Sequence, residues 1–153
     1  MAASPAGNYA ASIPALMRGA RGSYKRGVEA ELAARGITDL PRGGGFVLAS
    51  LSTGSEAVED FVRGLGVTKQ AFSQLTETLV SRGYVVREQH PADRRRLVLR
   101  LTARGRDAAE AVVAGVQDVD DQLRRRLSKT ELAALRKGLA ALAEIKAAYG
   151  GPS

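Results

Sequence analysis

Nucleophilic and metal-binding side chains are scarce in this sequence of 153 residues. One His and no Cys remove disulfides, thiolate zinc sites, iron–sulfur clusters, thiol redox sensing and most His-based metal sites. The neighbouring acids Glu59-Asp60 and Asp120-Asp121 fall on expected helix surfaces and need no acid–base role. No catalysis, metal or cofactor is therefore expected. The excess is of arginine. Lys and Arg number 23 against 16 Asp and Glu, a net charge of +7. Residues 1–68 carry seven basic and six acidic groups, and residues 107–153 carry seven of each. Residues 69–106 carry nine and three, and eight of the nine are Arg82, Arg87, Arg94, Arg95, Arg96, Arg100, Arg104 and Arg106. Guanidinium groups offer planar, multidentate donors for phosphates and guanine edges. A basic charge focused this way points to a polyanion, and the bland alternative is a solvated surface.

The elements around the run decide between the two. Residues 1–11 read as a loose arm with Pro5 and Gly7. A helical pattern follows over 12–35 on Ile13, Leu16, Met17, Tyr24, Val28 and Leu32, weakened by Gly19, Gly22 and Gly27 and stopped at Gly36. Pro41 and Gly43-Gly44-Gly45 suggest a loop before a short helix with Phe46, Val47, Leu48 and Leu51. The glycine run lacks the Lys-Ser/Thr ending of a phosphate loop, which favours close packing of a helix start. Ser55, followed by Glu56, Glu59 and Asp60, opens a helix whose apolar stripe is Ala57, Val58, Phe61, Val62 and Leu65. Gly66 breaks it and Thr68 caps the next, which runs to about Arg82 with Ala71, Phe72, Leu75 and Leu79 inward. Tyr84–Glu88 and Leu97–Leu101 read as strands joined by a link with turn formers Pro91 and Asp93 and Arg94, Arg95 and Arg96 at the tip. Thr102 caps a long helix with the stripe Ala109, Val112, Val113, Val116, Val119, Leu123 and Leu127. Ser128-Lys-Thr-Glu131 matches a capping box for a last helix with Leu132, Leu135, Leu139, Leu142 and Ile145 in a narrow stripe. The tail Gly150-Gly-Pro-Ser reads as a terminator.

Helix, short turn, helix and basic hairpin make a constellation. A helix-turn-helix needs an apolar corner, for which Phe61, Leu65, Val67, Ala71 and Leu75 qualify. The outward face of the second helix is then Lys69, Gln70, Ser73, Gln74 and Glu77. Gln70 or Gln74 can pair with adenine, and Lys69 with guanine or phosphate. Thr68 and the free N–H groups at the helix start suit a phosphate. Crowded arginines at a hairpin tip repel one another, and a narrow minor groove would offset this. Asp93 can accept a hydrogen bond from Arg95 and fix its direction. His90 at the wing reads as a phosphate contact or solvated turn.

The stretch from Gly66 to Val85 resembles the recognition helix and first wing strand of MarR-family regulators. Pro91-Ala-Asp-Arg-Arg-Arg-Leu-Val-Leu-Arg-Leu-Thr-Ala-Arg-Gly105 resembles that family's wing, with its Asp-x-Arg signature and its Leu-Thr-x-x-Gly run. The resemblance implies a homodimeric winged helix-turn-helix transcription factor. It also implies that the helix from Thr68 lies in the major groove and the wing in the minor groove, with Arg95, paired in the signature with Asp93, as the inserted side chain. The terminal helices, near 12–35 and 107–148, would form the dimer interface. Small aromatic effectors are common in the family, and Met17, Tyr24 and Phe46 are pocket candidates that also read as plain core. The glycine run departs from the helix-forming residues usual there, and the absence of Cys excludes the peroxide-sensing branch.

The expected fold is mostly α (α+β), a winged helix-turn-helix with a two-stranded wing and N- and C-terminal dimerisation helices. Residues 1–36 form the arm and first dimerisation helix, 37–106 the DNA-binding lobe and 107–153 the C-terminal dimerisation helices. The DNA-binding set is Thr68, Lys69, Gln70, Ser73, Gln74, Arg82, Asp93, Arg94, Arg95 and Arg96. The expected function is that of a transcriptional regulator on double-stranded DNA, a repressor of a palindromic operator released by a small effector. The rivals are a sequence-nonspecific architectural DNA protein, an enzyme, and a regulator with a defunct effector site. With no apolar run of 18 residues and no signal-like start, the expected place is the cytoplasm, without membrane contact.

Overall fold

The computed structural model describes residues 11–55 and 58–149. Its elements are α1 (Ile13–Ala34), α2 (Gly44–Ser52), α3 (Val58–Leu65), α4 (Lys69–Ser81), β1 (Val85–His90), β2 (Asp93–Leu101), α5 (Ala103–Arg124) and α6 (Lys129–Tyr149). The fold is mostly helical with one two-stranded antiparallel sheet, as expected. The proposed arm up to Ala10, the whole of the proposed tail, and Glu56 and Ala57 lie outside the described residues. Among the described residues no helix is long and apolar enough to cross a membrane.

The chain divides into two units, Met1–Val116 and Gln117–Ser153, with α5 continuing from the first into the second. The core of the first unit draws Leu32 from α1, Val47 and Leu48 from α2, Phe61 from α3, Phe72 and Leu79 from α4, Val85 from β1 and Ala108, Ala109, Ala111 and Val112 from α5, with Tyr84 fully buried among them. Arg35, capping α1, donates to the Asp107 carboxylate at 2.7 Å and to Glu110 at 3.3 Å, so α1 is also fastened to α5 by charge.

The glycine run is explained by packing, the reading that its lack of a phosphate-loop ending favoured. Gly43 takes φ 83° at the N-cap of α2, a left-handed conformation that side chains disfavour. A Cβ at Gly44 would stand 3.1 Å from Leu79 and 3.2 Å from Leu40 and Pro41, and one at Gly45 3.2 Å from Val112. The start of α2 is thus wedged between α4 and α5, and ordinary helix formers at these positions would push it out.

The inward face of α5 differs from the expected valine stripe. Its buried residues are Gly105, Ala108, Ala109, Ala111, Val112 and Gly115, whereas Val113, Val116, Val119 and Leu123 are only half-buried and Leu127 lies beyond the helix end. Small residues at 105, 108, 111 and 115 let the helix axis approach other backbone. A Cβ on Gly115 would sit 2.6 Å from the Gly27 carbonyl oxygen and from Val28 Cα. Gly27, read in the sequence as a flaw in α1, is therefore the place where α1 and α5 cross.

In the second unit, α6 opens on a reciprocal capping box. The Ser128 N–H donates to Glu131 Oε2 at 2.8 Å, and the Glu131 N–H donates to Ser128 Oγ at 3.3 Å. These bonds, the backbone one first, hold the Glu131 carboxyl below the usual carboxylate range. Because the folded value is depressed, this contribution is present above the unfolded pKa and disappears as pH falls through the folded one. Ser128→Ala is expected to cost about 1 kcal/mol at neutral pH, read by urea unfolding, and less in acid where Glu131 is protonated. An equal cost at both pH values would contradict the cap.

Candidate nucleic-acid interface

Helix α4 begins where its sequence says it must. The Thr68 hydroxyl accepts from the Ala71 N–H at 3.1 Å, satisfying one of the unpaired donors of the first turn. Phe72, Thr76 and Leu79 are buried, with the Thr76 hydroxyl spent on the Phe72 carbonyl at 2.9 Å. The corner with α3 is a ring stack, Phe61 on Phe72, with centroids 5.4 Å apart and planes 8° from parallel. Ala71 and Val67, expected in that corner, are exposed. Two aromatic rings fill the space, and Ala71 turns out with the first turn. Fixing Phe72 and Leu79 inward leaves Lys69, Gln70, Ser73, Gln74 and Glu77 exposed as one polar row.

The wing is longer than expected. Strands reach Pro91-Ala92, so Asp93–Arg96 belong to β2 rather than to a loop. Register runs from Val85 opposite Leu101 to Gln89 opposite Leu97, then jumps to His90 opposite Asp93. Three residues, 94–96, are thereby bulged out of the ladder, which turns side chains off the sheet's ordinary alternation. The bulge is secured at its start. Asp93 Oδ1 accepts the backbone N–H of Arg95 at 3.0 Å. The sequence suggested an Arg95–Asp93 bond, and it is the main chain rather than the guanidinium that makes it, leaving the exposed Arg95 side chain to point outward. His90 Nδ1 accepts the Ala92 N–H at 3.1 Å, closing the tip. The side chains of Arg94 and Arg96 lie outside the described ones.

Several of the clustered arginines, though exposed, are engaged within the chain. Arg82, proposed for DNA, donates to the Asp39 carbonyl. Arg104 donates to the Arg82 carbonyl and, at 2.7 Å, to the Asp39 carboxylate, and its guanidinium lies 4.4 Å from the Tyr84 ring centroid. The Tyr84 hydroxyl donates to Asp39 Oδ1 at 2.6 Å. That bond, with Arg104 beside it, holds the Asp39 carboxyl below the usual range. Burial first, then Asp39, pushes the Tyr84 hydroxyl up to about 12. Arg106 donates to the Leu101 carbonyl at 3.0 Å. Asp39 went unnoticed in the sequence, where its partners lie 43 to 65 positions away.

Residues 55–96, which hold α3, α4 and most of the wing, match the model of the MarR family. The solved structure of NadR in complex with 4-hydroxyphenylacetate is 26% identical, with 88% of this chain and 94% of that one covered at a TM-score of 0.63. Residues 55–96 thus carry a MarR-family match, and the chain has the fold of MarR-family regulators. Two further solved structures share the fold. Bordetella bronchiseptica BpsR, described for regulation of its DNA binding by 6-hydroxynicotinic acid, is 22% identical with a TM-score of 0.62 over 88% and 95% of the two chains. The reduced form of MarR from E. coli is 25% identical with a TM-score of 0.59 over 86% and 96%. No curated protein sequence matches the chain.

The match and the fold are those of MarR-family transcriptional regulators. Of the three residues proposed for an effector pocket, Met17 and Tyr24 lie two turns apart on one face of α1. Met17 is 44% exposed and Tyr24 half-buried. Phe46 is 41% exposed and lays its ring on Gly64 of α3, where a Cβ would stand 2.3 Å from Cζ. Met17 and Phe46 are thus not core residues of a single chain.

Proposed function

We propose that this chain is a sequence-specific DNA-binding repressor acting as a homodimer on a palindromic operator. The observation that carries the reading is the exposed polar row of α4 together with a wing whose arginine bulge is anchored by Asp93. The row has the hydrogen-bonding groups to read a major groove, and the bulge suits a minor groove. Homodimerisation is supported by the terminal helices. Ile13 and Leu16 of α1 and Leu139 and Ile145 of α6 are strongly exposed, forming stripes that a second copy would cover. The charge balance of residues 107–153 lets such helices meet without repulsion. Two-fold-related α4 helices would read half-sites about 10 bp apart. The NadR complex supports a small aromatic acid as effector, with Met17, Tyr24 and Phe46 as candidates for its contacts, and a chromosomal operator places the protein in the cytoplasm.

The testing experiment is a gel-shift competition at fixed salt, with a duplex selected from a random library against random duplex of equal length. The selected duplex is expected to compete at least about a thousandfold better. Equal competition would favour a sequence-nonspecific architectural protein.

A further inference from the structure

Recognition helix and wing must be held at one angle if both are to meet the same DNA, and the joint between them is a glycine. Gly83 takes φ 73° and has nothing within 4 Å of its Cβ position, so the turn from Arg82 to Tyr84 is held by hydrogen bonds rather than by packing on the glycine. Backbone bonds from Gly83 to Val80 and from Tyr84 to Leu79, both 2.9 Å, end the helix. Thr102 fastens the wing root to the start of α5, donating from its backbone to the Tyr84 carbonyl at 3.1 Å and from its hydroxyl to the Gly83 carbonyl at 2.6 Å. The side-chain link from this root to the end of α4 runs through Asp39. Its carbonyl holds Arg82, its carboxylate holds Tyr84 and Arg104, and Arg104 closes the ring on the Arg82 carbonyl.

We propose that Asp39 is a positioning residue for the DNA-binding surface, pinning the end of α4 and the root of the wing to one point and so setting where Arg95 stands against the polar row of α4. The proposal rests on the reading of that surface as DNA-binding. The lever arm explains why a remote residue matters. Arg95 lies six residues out from Leu101, about 20 Å at strand spacing. A tilt of about 10° at the root moves it about 3.5 Å, far beyond the few tenths of an ångström a hydrogen bond tolerates. A role in stability fits less well, because the Asp39 and Arg104 side chains are 43% and 45% exposed, and ion pairs so exposed add little. The depressed Asp39 carboxyl and the raised Tyr84 hydroxyl are consistent with a bond between them that persists across neutral pH.

The test uses the full chain, which has no Cys of its own. Exposed Glu77 of α4 and Glu88 of β1 are changed to Cys and carry nitroxides, and double electron–electron resonance reads the distance between them without DNA. Asp39→Ala is expected to widen the distance distribution, and Asp39→Asn, which keeps an acceptor oxygen, to widen it less. In parallel, affinities for the selected and random duplexes are measured at one salt concentration. Asp39→Ala is expected to cut the preference for the selected duplex about tenfold or more, with random-duplex affinity within about twofold. Tyr84→Phe, which keeps the ring under Arg104, is expected to show a smaller loss. An unchanged distance distribution overturns the role of Asp39 whatever the DNA does, as does a widened distribution with unchanged preference. A widened distribution in a protein with no preference for any duplex supports the brace and overturns instead the DNA-binding reading.

Discussion

Arg95→Ala is expected to weaken binding to the selected duplex by about ten- to a hundredfold per wing, the loss of one charge-assisted contact of about 1.5–3 kcal/mol. In a dimer both wings lose it. The expectation follows from how the residue is held. Its backbone N–H is fixed on Asp93 at 3.0 Å within a three-residue bulge, so its backbone is positioned before DNA arrives and the ordering cost on binding is confined to the side chain. The side chain is exposed, so its removal opens no cavity and thermal stability should stay near wild type. If the contact is to a phosphate, the salt dependence should also flatten by nearly one counterion per wing. An unchanged dissociation constant at matched salt would refute the wing assignment. Arg82 and Arg104 are different in kind. Their guanidinium groups are committed to Asp39, so their loss should act through the angle of the wing rather than through a lost DNA contact.

The contrast marks where sequence reasoning succeeds. Local rules act over a few residues and were legible. Thr68, Thr102 and Ser128 cap the helices assigned to them, and Gly36, Gly66 and Gly83 take positive φ where helices end. The basic cluster was legible as charge, but charge does not say which guanidinium groups are engaged within the chain, because that depends on Asp39, outside the cluster in sequence. The inner face of α5 was hidden for a related reason. Hydrophobic periodicity weighs large side chains, and this helix is buried through Gly105, Ala108, Ala111 and Gly115, whose small size matters only against a backbone not yet placed. The wing bulge was missed because arginine carries no strand signal, so the longer β2 read as a loop.

Gly105→Ala should be the most damaging small substitution in the winged-helix lobe. A Cβ there would lie 1.9 Å from the Tyr84 carbonyl oxygen and 3.0 Å from its carbon, where a carbon–oxygen contact needs about 3.3 Å. The obstacle is backbone, and it is not free to yield. That carbonyl accepts both the Thr102 N–H and the Thr102 hydroxyl at 3.1 Å, and Tyr84 is fully buried with its hydroxyl on Asp39. Relief requires moving the start of α5 off the wing root by more than an ångström, which breaks the Thr102 bonds and unseats Ala108 and Val112 from the core. Overpacking against fixed backbone together with lost buried hydrogen bonds implies a cost of about 3 kcal/mol or more. Gly19→Ala supplies the opposite sign. Gly19 is exposed in the middle of α1, has nothing within 4 Å of its Cβ position and lies off the Ile13–Leu16–Met17 stripe, so Ala should stabilise by about 0.5–1 kcal/mol. Urea unfolding of both variants decides the matter. A Gly105→Ala protein as stable as wild type would mean that α5 does not start against the wing as described.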